Sequence, residues 1–234
     1  MSTSQTLDRG LAMLESITSA TQPPTIDELA EQHGVHRSIA YRIVRTLEAR
    51  HLVRRDASGR CHAGVRLAAL ARGVRAPLLT AAVPVLTSLA NELGMTSFLV
   101  VRDGDEAVTI ESIEPHSTEI HLAYRPGIRH PVALGAPGLA LLAGGQPIEG
   151  ERDDVALARR RGWAVSAGEV IPGLASIAAP IDDGTGSAAG AVAVVHLAAA
   201  VVDTDAVGRR VAAAACSISD AIDGSARRTT RRTA

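Results

Sequence analysis

Lysine is absent from this 234-residue chain, so all 24 basic side chains are arginine and their placement says more than their number. Aromatic residues make up only 2%: one Phe, one Trp and two Tyr. The core must therefore be built from Ala, Val, Leu and Ile, and a binding pocket is expected to be aliphatic rather than aromatic-lined. Cys61 and Cys216 lie far apart without CxxC or Cys/His spacing, which argues against a disulfide framework or a zinc site and reads each as a free thiol. No run approaches the ~18 apolar residues of a membrane span. The N-terminus lacks the basic, apolar and small-residue pattern of a secretory signal, so the expectation is a cytoplasmic chain without a membrane partner. His116, His121 and His130 show no helical pairing, and neither GxGxxG nor GxxxxGK[ST] occurs, so no metal and no cofactor is expected.

What is present suits two modest domains or one large one: 46% hydrophobic and 21% charged residues. The net charge of -1 is unevenly spread. Residues 1–75 hold 11 arginines against 7 acids, residues 76–226 hold 9 against 18, and residues 227–234 hold 4 against none. Basic ends predict a polyanion partner for the N-terminal part and another task for the acidic middle.

Near the N-terminus, Leu7, Leu11, Leu14 and Ile17 recur at helical spacing, predicting a buried stripe. "TIDELAEQHG" places Thr25 as N-cap, Glu28 at the capping-box position and Gly34 at the end. A third helix runs from about His36 to Ala49. "HLVRRDASGRCHAG" then alternates around Asp56–Gly59, a hairpin signal. Three helices, a tight Gly-containing turn and a hairpin form the plan of a winged helix-turn-helix.

The stretch "GVHRSIAYRIVRTLEARHLVRR" carries six arginines. At about 100° per residue, Ile39, Ala40, Ile43, Val44 and Leu47 gather on one arc about 140° wide, the side expected to seat the helix. Ser38, Tyr41, Arg42 and Arg45 fall opposite, with Arg37 at the flank. With Arg54, Arg55 and Arg60 in the hairpin, these residues form the candidate contact set for double-stranded operator DNA. Arg can bond guanine bidentately or pair with phosphate.

From Val65 to Ala76 the pattern stays helical until Pro77, which reads as a linker helix. "LLTAAVPVLTSLANELG" is an amphipathic helix ended by Gly94. "TSFLVVRDGDEAVTIESIE" reads as a hairpin, "EIHLAY" as a strand, and "GAPGLALLAGG" and "ERDDVALARRRG" as helices. "ASIAAPIDDGTGSAAGAVAVVHL" is a second hairpin, and a last helix covers about Asp203 to Ile222. The fold class is α+β: a winged helix-turn-helix over 1–64, a linker helix over 65–77, an antiparallel-sheet domain over 78–223 and a disordered basic tail over 224–234.

"LDRGLAMLESI", "TIDELAEQHGVHRSIAYRIVRTLEARHLV", the wing "ASGRCHAG", "RPGIRHPVALGAPGLALLA" and "RRRGWAVSAGEVIPGLASIAAPI" together resemble the IclR-type bacterial transcription regulators. The resemblance covers nearly the whole chain. It is most specific in the last run, with Gly162, Glu169, Gly173 and Ala178-Ala179-Pro180 in family spacing. It departs at Ile39, where the family commonly has Thr, at Cys61, where an aromatic is usual, and at Leu139, where a Lys-type residue is common.

What the resemblance implies is a GAF-like second domain binding a small effector, often a carboxylate, and a homodimer or dimer of dimers. Carried over position by position, Gly135 and Ala136 would present backbone amides to the ligand at a helix start. Ser166, Ser176, Ala193 and Val195 would complete the site. Because Ala193 and Val195 are apolar, the effector is expected to be larger or more apolar than a two- or three-carbon acid.

The resulting expectation is a ligand-responsive DNA-binding regulator, not an enzyme. Two alternatives stand beside it: a small-molecule-processing enzyme fused to a DNA-targeting module, and an adaptor whose winged helix binds protein. Against the enzyme, no nucleophile and base stand at recognisable spacing.

Overall fold

In the computed structural model, which describes residues 4–71, 74–116 and 124–232, the chain divides into two compact units, Met1–Val74 and Arg75–Ala234. The first holds α1 (Gln5–Ser19), α2 (Ile26–Gln32) and α3 (Arg37–Ala49), then the antiparallel wing strands β1 (Val53–Arg55) and β2 (Cys61–Ala63). Helix α2 begins where Thr25 and Glu28 cap each other. Glu28 N–H donates to Thr25 Oγ1 at 3.3 Å, and Thr25 N–H donates to Glu28 Oε2 at 2.7 Å. Both amides lack an intrahelical partner, so the exchange satisfies them. Gly34, at φ 59°, makes the turn into α3.

This unit closes on Met13, Leu29, Ala40, Val44 and Cys61, all fully buried, with Ile17, Ile43, Leu47 and Val53 around them. The stripe expected along α1 is rotated. Leu7 and Leu11 are 62% and 50% exposed, while Met13 and Ile17 face inward. Met13 and Ile17 join Leu29, Ala40, Ile43 and Val44 in the core of the unit, and Gly10 lies beside Ile43, 3.8 Å from where a Cβ would stand, an ordinary packing distance. Ile39 also departs from expectation and is exposed. It lies at the edge of the apolar arc, about 70° from its centre.

The expected single linker helix is broken. Helix α4 (Arg66–Ala71) is short, and α5 (Ala76–Leu93) starts afresh. Pro77 lies in the first turn of α5 and begins that helix rather than interrupting one, since a first-turn residue has no intrahelical acceptor for its N–H. Part of the expected linker, residues 72–73, lies outside the described residues. Gly94, at φ 64°, ends α5 as expected. By length and composition alone α5 would pass for a membrane-crossing helix. Its Leu78, Ala82, Leu86, Leu89 and Ala90 are instead buried within the second unit.

That unit is built on a six-stranded antiparallel sheet: β3 (Thr96–Asp103), β4 (Glu106–Ile113), β5 (Arg129–Pro131), β6 (Ala164–Ala167), β7 (Leu174–Asp182) and β8 (Ala188–Leu197). The spatial order is β5-β4-β3-β8-β7-β6. Helices α6 (Gly135–Ala143) and α7 (Asp153–Arg161) cover one face, and α5 with α8 (Thr204–Arg232) covers the other. In β8, Ala191, Ala193 and Val195 join the α6 side, whereas Val192 and Val194 join the α5/α8 side. Continuous apolar strands thus follow from a sheet buried on both faces.

The strand read in "EIHLAY" falls on residues of which only Tyr124 is described, and His121 likewise lies outside them. The described neighbour of β4 on that edge is β5. Strand β6 has no counterpart in the sequence reading. Helix α8 runs to Arg232, through most of the stretch expected to be a disordered tail. Propagating an established helix fixes one residue per added hydrogen bond, so a basic composition without proline does not stop it.

Candidate nucleic-acid interface and ligand pocket

On α3 the residues expected to face outward do so: Arg37, Ser38, Tyr41, Arg42 and Arg45 are exposed, as is Arg54 in β1. Their local ties divide them. Arg42, Arg45 and Arg54 make no ion pair among the described residues. Arg37 instead pairs with Asp27 in the first turn of α2. Arg55 forms a two-pronged bond to Glu48, Nε to Oε1 at 2.8 Å and Nη2 to Oε2 at 3.0 Å. Its guanidinium also lies 5.8 Å over the Tyr41 ring. Arg60 donates to Pro23 O at 2.7 Å and stands 3.6 Å from Glu28. These three arginines fix α3 and the wing to the body of the unit. Ser38 is tied at the start of α3, its hydroxyl 2.8 Å from His36 Nδ1.

The wing turn is held by one carboxylate. Asp56 Oδ1 accepts from Ser58 N–H at 2.9 Å, Ser58 Oγ–H at 2.7 Å and Arg60 N–H at 3.0 Å, while Oδ2 lies 2.8 Å from His62 Nε2. The Ser58 hydroxyl, with His62 and the Arg60 amide, holds its pKa far below the ordinary aspartate value.

In the second unit the start of α6 is capped from outside the helix. Leu134 at the N-cap has no side chain able to accept, and Pro137 brings no N–H. The remaining first-turn amides find partners on the β6–β7 segment. Gly135 N–H donates to Glu169 Oε2 at 2.7 Å, and Ala136 N–H donates to Ser166 Oγ at 2.7 Å. Ser166 Oγ lies 3.1 Å from Ser176 Oγ. The other oxygen of Glu169 accepts from Arg152 Nη2 at 2.8 Å, and Arg152 Nη1 donates to Ala133 O at 2.7 Å. Arg152, and then the Gly135 amide, hold the Glu169 carboxyl below its usual range.

Beside this network is a cavity of about 20 Å³, lined among others by Phe98, Tyr124, Ile171, Leu174, Ser176 and Val195. That is room for a single water. The structure therefore places Ser166, Ser176 and Val195 in the lining and Gly135 and Ala136 beside it through their bonds to Glu169 and Ser166, and leaves Ala193 in the packed core outside the lining. The lining of this cavity is mixed, aliphatic and aromatic. The only Phe and one of the two Tyr line it, their rings stacked at 4.2 Å between centroids and 28° between planes. Rarity along the chain carries no information about location in the fold. Arg152 was missed because it is 17 residues from Glu169 and only the fold makes them neighbours. Glu169 stood in the family-spaced run but had no assigned role; the signal available was a lone acid between two glycines, Gly168 and Gly173.

Residues 6–57 match the IclR helix-turn-helix domain, and residues 73–152 and 148–220 match the bacterial transcriptional regulator IclR C-terminal domain. The chain belongs to the IclR family of bacterial transcription regulators. Among curated IclR-type relatives, it is 29% identical to the HTH-type transcriptional regulator BhcR of Paracoccus denitrificans over 80% of this chain and 76% of that protein. It is also 29% identical to the glycerol operon regulatory protein of Streptomyces griseus, over 81% and 84%. Its fold matches that of an IclR homologue from Microbacterium hydrocarbonoxydans complexed with 4-hydroxybenzoate, at a TM-score of 0.77 and 23% identity over 94% of this chain and all of that one. The two-unit plan thus pairs a DNA-binding helix-turn-helix with an effector-binding C-terminal domain.

Proposed function

We propose that α3 reads operator DNA through Arg42 and Arg45, assisted by Tyr41 and Ser38, with Arg54 on the adjoining backbone. The observation that carries this reading is the division of the arginines. Arg37, Arg55 and Arg60 have acidic or carbonyl partners inside the unit, whereas Arg42, Arg45 and Arg54 are exposed and without an ion pair among the described residues. Uncompensated guanidinium groups on the outer face of a helix seated by Ile43, Val44 and Leu47 suit a groove lined by base edges and phosphates. The role is that of a regulator acting on chromosomal DNA, hence in the cytoplasm, and not that of an enzyme.

The second unit binds a small effector at the start of α6, over Ser166, Ser176 and the Phe98–Tyr124 pair. Binding shifts operator affinity by as much as the effector prefers one state of the DNA-bound protein, and no more. The neighbour solved with 4-hydroxybenzoate makes aromatic acids the first compounds to test. The exposed Leu7 and Leu11 on α1 and Leu70 on α4 support association with a second copy, as two half-sites require.

Operator selection with the purified chain, followed by titration at increasing salt, tests the DNA reading. Affinity should fall steeply with salt if several phosphates are neutralised, and Arg42→Ala or Arg45→Ala should each cost ~1–3 kcal/mol with altered sequence preference if the side chain reads a base. Binding that ignores salt, or no binding to any selected DNA, overturns the assignment.

A further inference from the structure

The helix start that would anchor an effector is already filled by the protein itself. Of the three first-turn positions of α6, Pro137 offers no donor, Gly135 N–H is bonded to the Glu169 carboxylate and Ala136 N–H to the Ser166 hydroxyl. An anion is the preferred occupant of such a position, and the anion found there belongs to the chain. The cavity beside it, about 20 Å³, is too small for any organic effector. Gly168, Glu169, Val170 and Ile171, consecutive residues of the segment between β6 and β7, form one side of its lining. Gly168 and Gly173, at φ 71° and 82°, bound that segment with backbone conformations that side chains rarely adopt. An organic ligand needs this lining to move, and movement of this segment would withdraw Glu169 from Gly135.

A second buried polar group lies close to this helix start. His130 is 5% exposed, and its Nε2 is buried without a hydrogen-bond partner. Its Cε1, the ring atom next to Nε2, lies 3.5 Å from where a Gly135 Cβ would stand. A buried ring nitrogen left unpaired costs stability unless some state of the protein satisfies it.

We propose that residues 168–173 form a latch whose Glu169 carboxylate occupies the Gly135 amide as an internal competitor, and that the effector is an organic anion whose acid group replaces it there. The proposal rests on reading this cavity as the effector site and adds the manner of entry: exchange of the ligand's acid group for an internal carboxylate. On exchange, the ligand oxygen accepts from Gly135 N–H, its apolar body lies against Phe98, Tyr124 and Leu174, and Glu169 withdraws with the segment.

The test uses the full chain and Glu169→Gln, which keeps the side chain's length and removes its charge, with Glu169→Ala as a second variant. Calorimetry with 4-hydroxybenzoate and its neutral analogue 4-hydroxybenzamide reads affinity, and amide hydrogen exchange reads residues 135–136 and 168–173. The acid should bind both variants about tenfold more tightly than the native chain, with the amide changing by less than about twofold. In the native chain, the acid should speed exchange in 168–173 while Gly135 stays protected. An acid affinity that is unchanged or lowered by both substitutions overturns the proposal, as does failure of both variants to bind the acid at millimolar concentration. A neutral ligand that alters operator binding, protects residues 135–136 and ignores both substitutions overturns the exchange but leaves the effector site standing. An operator-active ligand that leaves exchange unchanged in both segments overturns the site as well.

Discussion

His51 holds φ at 58° immediately after α3, the left-handed conformation that closes a helix C-terminus and that glycine adopts without steric cost. Its backbone position is fixed by Leu52 N–H donating to Leu47 O at 2.9 Å, so the strain cannot relax without losing that cap. His51→Gly should stabilise the N-terminal unit by about 0.5–1 kcal/mol, the relief of the Cβ clash less the added freedom of the unfolded chain. In a thermal melt this is a rise of about 4 °C. A lower midpoint would show that the imidazole contributes a contact worth more than the strain. Asp56 makes a second residue-scale case, with the opposite origin. Its pKa is depressed in the folded chain, so its contribution is complete above the ordinary aspartate value of about 3.9 and is lost only as pH falls through the lower folded value. The Ser58 and Arg60 amides should therefore remain protected from exchange at pH values somewhat below 3.9. Loss of that protection above 3.9 would mean the carboxylate does not hold the turn.

Elements are legible in the sequence where one residue type dictates one local geometry. Thr25 and Glu28 announce the start of α2, Gly94 the end of α5, and the Asp103–Asp105 turn the β3–β4 hairpin, because each acts on the backbone within a few residues. What stays hidden depends on partners distant in the chain. The buried face of α1 turned on Met13 and Ile17 meeting α2 and α3 residues such as Leu29 and Ile43, and Arg55 proved a prop because Glu48 and Tyr41 flank it. Half of the candidate pocket was hidden for the same reason: Gly135 and Ala136 could be placed at a helix start, but not the Glu169 that caps it or the Arg152 that holds Glu169. Helix α8 shows a similar dependence at Gly208, where an added Cβ would stand 2.3 Å from the Trp163 ring. On propensity alone, Gly208→Ala should stabilise a helix by about 1 kcal/mol. Against a rigid indole the overlap dominates, and the net effect should be a loss of about 1–3 kcal/mol. Trp163 is the only tryptophan, so its fluorescence reports the displacement directly. A stabilised variant with an unshifted spectrum would show that the ring is not packed on α8.

At the scale of the molecule, the cores are separate. Met13, Leu29, Val44 and Cys61 close the first unit, while the sheet of the second carries its own apolar layers on both faces. A single two-state transition is therefore not expected. The smaller unit, with one core cluster, should melt first, and the sheet unit later. Ligands then give each transition its identity. Operator DNA should raise the lower one, whereas an effector held at the start of α6 should raise the upper one, by about 2.7 kcal/mol at 100 times its dissociation constant. Scanning calorimetry of the full chain with each ligand measures this. The coupling between them is reciprocal: if effector weakens operator binding, operator must weaken effector binding by the same factor. A protein in which either ligand moves both transitions equally, or in which only one transition exists, would show that the two units do not unfold independently, against what their separate cores imply.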